Sequence, residues 1–495
     1  MKKKINIAIK CILFTLTVAC LLYLATGTLR RKDSLYKYAD FFKMAKRDQI
    51  DVLFMGSSHV INGINPVTLY NEYGYTSYNM GGHGSLLQAT YWELQEALKY
   101  TTPKWVVVDA YMLEKDYRYL DDREANGDDE ELNTSVEQLH LNMDVWPLSK
   151  TKINAVGDLI EDKEIQREFL MDFSVYHNRW EYITEDDFKS IVGHESRNEL
   201  FGAEMRYEVD TAPPIYMKPA PGEILSETTM GEKYLAAIIE DCQKRDINVL
   251  VTFIPFAPET KDIVAANTAQ AIADKYGVPC LNMLNEEVID IYTDLNDHGH
   301  LNAVGADKVT KAIGEWFCCN TLLEDHREDD RYEYWDKLGS DYIDSIREKT
   351  LYETNLFTKL SLLSLDEYGF VLYCNEGSQV FTDKPMKRMI RNFKSSSAIE
   401  NTMGPYIMIS DPESDKVYET FGSDTLEGVH TAMGDMNYIP VEQNFRLLYS
   451  TDDEDTNYLY DDKHVTEDIQ LIIYDKETGE VIAHDYYTSK GGNYE

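Results

Sequence analysis

Two short segments of the sequence carry residue types that can perform acyl-transfer chemistry. In one of them, Gly56-Ser57-Ser58-His59 follows the compact apolar run Asp51 to Met55. In the other, Asp297 and His300 stand three residues apart, a spacing that puts both on one face of a helical turn. An aspartate can orient an imidazole, and the imidazole can accept the proton of a serine hydroxyl that attacks an ester. Together the segments predict a serine nucleophile served by an Asp/His pair.

Strands and helices must position these two segments. Short apolar runs that are typical of buried strands alternate with segments of helical periodicity. The runs are Asp51 to Met55, Thr76 to Met80, Trp105 to Val108, Val249 to Ile254 and Pro279 to Asn282. This alternation predicts an α/β fold in which a parallel sheet carries helices on both faces. Such sheets build their sites at the carboxyl ends of the strands, so Ser58 is expected there, beside backbone N–H groups that can stabilise an oxyanion.

The length of the chain, 495 residues, predicts two folded domains. Residues 33–320 are expected to form the α/β domain, which begins with a short helical tether and contains a largely helical insertion at about 115–225 that covers the site. Residues 321–354 are expected to form a linker helix. Residues 355–495 contain β-type runs, the last two of which flank the turn sequence Asp475 to Gly479. A β-rich, sandwich-like domain that ends in a hairpin is therefore predicted.

Residues 1–32 have the composition of a membrane anchor. The chain is apolar from Ile5 to Leu29 apart from a few polar residues, and the 19 residues from Cys11 to Leu29 carry no charge. A transmembrane helix needs about 20 such residues. A cleaved signal peptide is the competing interpretation, but no small-x-small cleavage site follows the apolar run. An uncleaved transmembrane helix is therefore the prediction.

The strongly acidic composition excludes one class of partner. The chain has 87 Asp plus Glu against 48 Lys plus Arg, a formal net charge of −39, whereas nucleic-acid binding requires a basic surface. No Walker-type phosphate loop occurs, and the seven cysteines show no C-x-x-C spacing, so neither a nucleotide site nor a zinc site is expected. We therefore expect no cofactor and no metal, and buried free thiols rather than disulfides.

Three further acidic features are expected to be structural. Asp109 and Asp411 stand at strand ends, where acidic residues usually form turns or caps in contact with solvent. The run Asp452 to Asp455 lacks the glycine and the ligand spacing of an EF-hand. It is predicted to be a solvated loop rather than a calcium site.

The two reactive segments resemble the SGNH (GDSL-like) hydrolase family. The family's first block, a strand followed by G-D-S, is similar to Gly56-Ser57-Ser58, which identifies Ser58 rather than Ser57 as the nucleophile. Its last block, D-x-x-H followed by L-N and a glycine, is similar to Asp297 to Gly305. The resemblance implies an SGNH-type fold and a catalytic triad of Ser58, His300 and Asp297.

The oxyanion-binding blocks of the family are matched only in part. The second block's glycine is similar to Gly81, so the resemblance implies an oxyanion hole made by the N–H groups of Ser58 and Gly81. The third block's asparagine has no counterpart in Val108 to Met112. Tyr111 and Asn79 are the candidates for a further oxyanion or substrate contact; otherwise the hole uses the two N–H groups alone.

Longer stretches resemble a membrane-tethered branch of the family. Leu53 to Pro66, Ser77 to Gly82 and Pro103 to Asp109 are similar to proteins that accompany membrane-bound O-acyltransferases, related to teichoic acid D-alanyl transfer and alginate O-acetylation proteins. The resemblance implies a single-pass bacterial membrane protein whose catalytic part is extracytoplasmic. It also implies a membrane-bound O-acyltransferase as partner, and acetyl or D-alanyl groups of a cell-surface polysaccharide or teichoic acid as the groups transferred or hydrolysed.

The sequence leaves room for one alternative function, and its C-terminal part has a resemblance of its own. The missing third-block asparagine favours a catalytically inactive protein of SGNH fold that binds a polymer or assembles with a membrane O-acyltransferase. The segment Asp468 to Asp485 resembles the end of an interleukin-like EMT inducer (ILEI-type) domain. That resemblance implies a non-catalytic binding or bracing role for the C-terminal domain.

Overall fold

The computed structural model describes residues 2–30, 35–115, 119, 135–171, 173–189, 198–365, 368–400, 402–411, 417–441, 444–450, 456–459, 467–490 and 494. The chain forms two compact units that are not contiguous in sequence. The first unit comprises Met1–Met205, Ile215–Val288 and Val309–Leu338, and the second comprises Arg206–Pro214, Ile289–Lys308 and Gly339–Glu495. The predicted domain boundaries follow the order of the chain, whereas these units do not: the segment that carries Asp297 and His300 belongs with the β-rich part.

The N-terminal apolar segment forms the helix Lys2–Leu29. Within it, the 24-residue stretch Asn6–Leu29 contains an 18-residue window with a mean hydropathy of 2.3, and none of that window is buried in the protein. This helix is long and apolar enough to cross a membrane, and a signal sequence has the same properties. Arg179 donates hydrogen bonds of 2.7 Å to the carbonyls of Leu29 and Arg30 at the end of the helix.

A five-stranded parallel sheet forms the centre of the first unit, and the predicted α/β fold is confirmed. Its strands are β1 (Val52–Met55), β2 (Ser77–Asn79), β3 (Trp105–Asp109), β4 (Asn248–Phe253) and β5 (Cys280–Asn282), in the spatial order β2-β1-β3-β4-β5. Every adjacent pair is parallel. All four residues of β1 are buried, which explains why it is apolar throughout rather than alternating.

Helices connect these strands. The connecting helices are Ser58–Gly63, Pro66–Tyr73, Leu87–Ala97, Met230–Lys244 and Thr260–Tyr276. Thr229 and Glu232 form a capping box at the start of Met230–Lys244, and Gly277, with φ of +68°, ends Thr260–Tyr276 in the left-handed conformation. The carboxyl ends of β1, β2 and β3 therefore deliver residues 56–58, 80–82 and 109–111 to the same edge of the sheet.

The predicted tether is a packed helix, and the described part of the predicted insertion is helical between residues 136 and 189 but not beyond residue 198. The helix Leu35–Arg47 buries Tyr38, Phe41 and Met44 on one face. Within the insertion, the helices are Val136–Met143, Lys150–Leu159, Lys163–Leu170, Phe173–Tyr176 and Glu185–Lys189, with a 3₁₀ turn at His177–Tyr182. Residues 198–229, all described, form no helix or strand. The remaining residues of the insertion (116–118, 120–134, 172 and 190–197) lie outside the described part.

The β-rich part of the second unit contains two antiparallel sheets. The short strands β6 (Leu295–Asp297) and β7 (His300–Leu301) precede them in the chain. The strands of the two sheets are β8 (Gly369–Cys374), β9 (Tyr406–Ser410), β10 (Tyr418–Phe421), β11 (Leu426–Thr431), β12 (Gly434–Val441), β13 (Asn444–Ser450), β14 (Thr456–Leu459), β15 (Ile469–Tyr474) and β16 (Val481–Tyr487). One sheet has the order β10-β9-β8-β15-β16 and the other β11-β12-β13-β14. The antiparallel pair β15–β16 confirms the predicted hairpin. The predicted solvated loop at Asp452 to Asp455 lies outside the described residues.

Alternating side chains build a hydrophobic core on each face of the five-stranded antiparallel sheet of the second unit. Val371 and Tyr373 point to one face, where they pack with residues of β11, β12 and β13. Phe370 and Leu372 point to the other, where they pack with the helices Leu356–Leu363 and Lys384–Arg391. These two helices follow the longer helix Glu333–Tyr352, which occupies most of the predicted linker.

The burial of the free cysteines agrees only in part with the prediction of buried thiols. The structure contains no disulfide among the seven, all of which are described. Cys242 and Cys374 are buried, as expected, whereas Cys318 and Cys319 are exposed near the end of the helix Ala303–Asn320. The expectation of buried thiols is therefore wrong for that adjacent pair.

Candidate active site

A tight turn after β1 presents Ser58. Gly56 has φ of +152°, and a Cβ on it would lie 2.7 Å from Cγ2 of Val60 and 3.0 Å from Cβ of Asp109, so a side chain does not fit there. Ser57 is buried and caps the helix Ser58–Gly63, its Oγ accepting a 3.2 Å hydrogen bond from the His59 N–H. Ser58 is half-buried. The accessible serine of the pair is therefore the predicted nucleophile, and its neighbour has a structural role.

The glycine turn after β2 packs against the Ser58 helix. The Met80 N–H donates to the carbonyl of Phe54 at 2.8 Å, and the Gly82 N–H donates to the carbonyl of Gly56 at 2.9 Å. These bonds continue the β1–β2 pairing past the strand ends. A Cβ on Gly81 would lie 2.7 Å from the carbonyl oxygen of Ser57, so only glycine permits this approach.

Asn79 holds that turn to the helix. Its Nδ2 donates to the carbonyls of Val60 at 2.7 Å and Ile64 at 2.9 Å, and its Oδ1 accepts the Gly81 N–H at 3.0 Å. Asn79 is fully buried and its amide is committed to three backbone groups. This arrangement does not fit the predicted substrate contact by Asn79. It also gives the Gly81 N–H, the predicted oxyanion donor, an acceptor within the protein.

A buried lysine lies behind the glycine turn. The Lys37 ammonium contacts the carbonyl of Gly81 and lies 3.9 Å from the carboxylate of Glu93, which accepts a 2.8 Å hydrogen bond from Tyr38. Burial lowers the pKa of Lys37, although Glu93 opposes the shift, and burial raises the pKa of Glu93, although Lys37 opposes it. Lys37 is not part of any sequence motif. It lies in the segment that was predicted only to be a short helical tether.

The end of β3 carries a buried carboxyl group and an aromatic ring. Asp109 is 1% exposed, its Oδ1 accepts a 2.8 Å hydrogen bond from the Ile254 N–H, and burial raises its pKa to about 7. The expectation that Asp109 is a solvated cap is therefore wrong, because Ile254, the residue that follows the neighbouring strand β4, supplies its partner. Tyr111 stacks on His59 with 3.6 Å between ring centroids, which places the third-block residue beside the Ser58 helix.

The predicted Asp/His pair forms in the second unit. His300 Nδ1 lies 2.8 Å from Oδ1 of Asp297, and the Gly299 N–H donates to the same oxygen at 2.9 Å. The two residues occupy the tip of a two-stranded antiparallel hairpin, β6 (Leu295–Asp297) and β7 (His300–Leu301), and not the helical turn that the spacing suggested. A three-residue separation brings the side chains together in either geometry.

Arg206 is a third member of this cluster that the sequence did not reveal. Its Nη1 lies 2.7 Å from Oδ2 of Asp297, and both side chains are 38% exposed. Arg206 lies in the predicted insertion, 91 residues from Asp297, and no local pattern marks it. Its carbonyl accepts the Ala303 N–H at 2.6 Å, which fixes the arginine next to the hairpin.

The charges of the cluster favour an ionised aspartate and a neutral histidine. Burial raises the pKa of Asp297, but His300, the Gly299 N–H and Arg206 lower it, and the net shift is downward. Burial lowers the pKa of His300, Asp297 opposes this and Arg206 reinforces it, so that the net shift is also downward. An ionised carboxylate accepts a hydrogen bond, so Nδ1 of His300 carries the proton and Nε2 is the nitrogen that can take another.

Asn302 and Gly305 hold the start of the following helix against the hairpin. Asn302 Oδ1 accepts the Val304 and Gly305 N–H groups at 3.1 and 3.0 Å, and its Nδ2 donates to the carbonyl of Thr293 at 2.8 Å. A Cβ on Gly305 would lie 2.3 Å from the carbonyl oxygen of Asp294. The L-N and glycine positions of the motif therefore serve packing and capping.

The β-rich part of the second unit holds the segment that leads into the dyad. Arg388 Nη1 lies 2.6 Å from Oδ2 of Asp290, and Asn392 Nδ2 donates to Oγ1 of Thr293 at 3.0 Å. Asp411, expected to be solvated, is buried and accepts a 2.9 Å hydrogen bond from the Tyr474 hydroxyl. It stabilises this unit and takes no part in the cluster described here.

The predicted site residues therefore fall into two groups. Ser58, Gly81, Asn79 and Tyr111 belong to the first unit, at the carboxyl edge of the parallel sheet. Asp297 and His300 belong to the second unit, where the structure brings them together and adds Arg206.

Comparison with known proteins finds a weak structural similarity. No model of a known protein family matches the sequence, and no curated protein matches it. Among solved structures, a Bacteroides fragilis protein described provisionally as an acylhydrolase is similar, with 12% sequence identity and a TM-score of 0.29. The similarity covers 58% of this chain and 99% of that protein. A likeness of this size carries no inference about what the chain does.

Proposed function

We propose that the chain is a serine acyl enzyme, a hydrolase or a transferase, in which Ser58 is the nucleophile, His300 the base and Asp297 its partner. The observation that carries the proposal is the Asp297–His300 pair: a 2.8 Å contact at Nδ1, an ionised carboxylate and an imidazole whose pKa is lowered. This is the state in which a histidine can accept a proton at neutral pH. The accessibility of Ser58 at the end of a parallel strand supports the assignment of the nucleophile.

The proposed reaction has two proton transfers through the same imidazole. Nε2 of His300 takes the proton of Ser58 Oγ as that oxygen bonds to the ester carbonyl carbon. The imidazolium then gives the proton to the departing alcohol, which leaves an acyl group on Ser58. In the second half, His300 takes a proton from water or from a sugar hydroxyl, the resulting oxygen attacks the acyl carbon, and Ser58 recovers its proton. Asp297 stabilises the imidazolium throughout.

The N–H groups of Ser58 and Gly81 are the proposed oxyanion donors. Ser58 is the first residue of the helix Ser58–Gly63, and the partial positive charge at the start of a helix favours a developing oxyanion. Each oxyanion donor is typically worth about 10² to 10³ in rate. The Gly81 N–H must exchange its bond to Asn79 for one to the oxyanion, or else Tyr111 supplies the second donor.

The proposed substrates are acetyl or D-alanyl esters of a cell-surface polysaccharide or teichoic acid. The resemblance of the Ser58 and Gly81 segments to proteins that accompany membrane O-acyltransferases supports this substrate class and that partner. The N-terminal helix is long and apolar enough to attach the chain to a membrane. The placement of the catalytic part outside the cytoplasm of a bacterium is proposed from the same resemblance. In this setting a sugar hydroxyl competes with water as the acyl acceptor, so transfer and hydrolysis are both outcomes of the same chemistry.

One observation favours a second function. The Gly81 N–H already donates to Asn79, and the third-block asparagine is missing, so an oxyanion hole with few donors is compatible with a protein that has lost catalysis. In that case the chain is an assembly or polymer-binding protein of the same fold, and a membrane O-acyltransferase performs the chemistry.

Active-site labelling separates these two functions. The full chain in detergent is incubated with a fluorophosphonate probe and, separately, with an activated acetyl ester, beside Ser58→Ala and His300→Ala. Ser57→Ala and His298→Ala are matched controls, because Ser57 is a buried cap and His298 an exposed residue of the same hairpin. The serine enzyme predicts labelling that disappears in Ser58→Ala, falls in His300→Ala and persists in both controls. A folded wild-type chain that neither labels nor turns over the ester supports the binding protein instead.

A further inference from the structure

A cavity of about 560 Å³ lies in the second unit beside the dyad. Its lining comes from three parts of the chain: the segment 206–208, the strand residue Asn296, and the two helices Glu333–Tyr352 and Leu356–Leu363. Small-molecule sites in proteins usually occupy about 300 to 1,000 Å³. The cavity is therefore large enough to hold a ligand and not merely a few waters.

The cavity and the dyad share a side chain. Arg206 lines the cavity and also contacts Asp297 at 2.7 Å, while Asn296 lines it from the position immediately before Asp297. A molecule held here is thus one side chain away from the group that orients His300.

The charges of the lining cancel. The lining contains two cations, Arg206 and Lys349, and two carboxylates, Glu208 and Glu353. The cations are also engaged: Arg206 pairs with Asp297, and the Lys349 ammonium lies 4.7 Å from the centroid of the Tyr207 ring. A phosphate-bearing polymer requires uncompensated positive charge, which this lining does not offer.

The remaining lining groups suit hydroxyl groups and the faces of sugar rings. Asn296 offers an amide and Thr358 a hydroxyl, which donate and accept hydrogen bonds. The side chain of Tyr352 is 80% exposed and presents an aromatic face with a polar end. Aromatic surface combined with a few neutral polar groups is the chemistry that recognises an uncharged, polyhydroxylated ligand.

We propose that this cavity binds a neutral glycan segment, and that it is the polymer subsite of the proposed acyl enzyme. The second half of the proposal rests on the proposed function, whereas the first half does not. It selects a neutral polysaccharide over a polyanionic teichoic acid as the polymer. Tyr352 is the ring on which a sugar stacks, and Arg206 and Asn296 mark the end of the cavity where an ester or acceptor hydroxyl meets the dyad.

Binding is tested without turnover. The full chain carrying Ser58→Ala, in detergent, is titrated with neutral tetrasaccharides (of cellulose, maltose, xylan and chitin type) and with poly(glycerol phosphate), using saturation-transfer NMR. At least one neutral tetrasaccharide is expected to bind, and Tyr352→Ala is expected to weaken that binding by at least about fivefold, the loss typical of an aromatic contact residue. Tyr352→Phe, which keeps the ring, should retain most of the affinity. Tyr182→Ala, which removes a 71% exposed tyrosine of the first unit, is the matched control and should change nothing.

Three results overturn the proposal: no tetrasaccharide binds at millimolar concentration, Tyr352→Ala binds as tightly as its parent, or poly(glycerol phosphate) binds more tightly than every neutral ligand. The proposed enzyme is tested separately by fluorophosphonate labelling of the wild-type chain. Glycan binding without labelling sustains the cavity and refutes the serine enzyme. Labelling without glycan binding sustains the serine enzyme and refutes the glycan-binding cavity.

Discussion

The buried pair Lys37–Glu93 yields a prediction in which a double variant recovers stability without recovering activity. Both side chains are less than a tenth exposed, and their charged atoms lie 3.9 Å apart. Lys37→Met leaves a carboxylate buried without its cation, and Glu93→Gln leaves an ammonium buried without its anion. The double variant Lys37→Met/Glu93→Gln leaves neither, so it is expected to be far more stable than the two single losses added together.

The size of the effect follows from the burial and the distance. Two unit charges 3.9 Å apart attract by about 4 kcal/mol at an effective dielectric constant of about 20. Removing one partner of a buried pair typically costs about 3 to 5 kcal/mol, whereas replacing both by neutral groups of similar size is often close to neutral. Each single variant is therefore expected to lose about 3 kcal/mol of unfolding free energy, and the double variant less than about 1 kcal/mol.

Urea unfolding followed by tryptophan fluorescence measures this cycle, because the indole of Trp146 donates to the hydroxyl of Tyr38 at 2.5 Å, next to the pair. The deficit of Lys37→Met should also depend on pH. Burial raises the folded-state pKa of Glu93 above its ordinary 4.5, so the cost of the bare carboxylate is absent at low pH. It appears as the pH rises from the unfolded-state pKa to the higher folded-state pKa, and stays constant above that.

Activity should not follow stability in this series. The Lys37 ammonium contacts the Gly81 carbonyl, a contact that Met cannot make in either the single or the double variant. Labelling of Ser58 is therefore expected to fall in Lys37→Met and to stay low in the double variant, although the fold has recovered. A cycle whose coupling energy is below about 1 kcal/mol would refute the account of the pair, and restored labelling would refute the role assigned to Lys37.

Three further predictions concern the site itself. Asp297→Asn should lower the rate of ester turnover by about 10² to 10⁴, because the amide no longer holds the Nδ1–H tautomer of His300; a loss of less than threefold contradicts the dyad. Arg206→Gln should move the acidic limb of the kcat/KM profile to higher pH, since the pKa of His300 rises without the cation, and an unmoved limb contradicts that electrostatic role. Asn79→Ala should destabilise the chain by about 2 to 4 kcal/mol in urea unfolding, because three buried backbone groups lose their partner, and a loss below about 1 kcal/mol contradicts this role. Asn79→Asp should be at least as destabilising at neutral pH, because a buried carboxylate oxygen then faces the two carbonyls to which the amide donated.

The sequence was sufficient for features that depend on local pattern. The apolar run Asp51 to Met55 predicts a buried strand, and the glycine that follows it predicts a sharp turn. Both features depend only on a few consecutive residues. The parallel sheet follows from the alternation of strands and helices. The Asp297–His300 contact follows from spacing alone, although the same spacing fits a hairpin as well as a helical turn, and the sequence favoured the latter.

The rest depended on contacts between distant parts of the chain. Arg206 meets Asp297 across 91 residues, and Lys37 meets Glu93 across the whole of the first strand-helix repeat, so neither partner carries a local mark. Asp109 was expected in solvent because a strand end usually is, but the N–H of Ile254, just past the end of the adjacent strand, donates to its carboxylate. The residues that shift the pKa values of these groups are thus distant in sequence, and a single sequence does not identify them.

The interleaving of the two units has a consequence for how this gene can change. The chain enters the second unit three times, through Arg206–Pro214, Ile289–Lys308 and Gly339–Glu495. Recombination that exchanges residues 355–495 as a block would separate Arg388 from its partner Asp290, because the two positions lie on opposite sides of the join. Lineages that replace one of these residues are expected to replace the other, so that the pair is inherited together while the loops around it diverge.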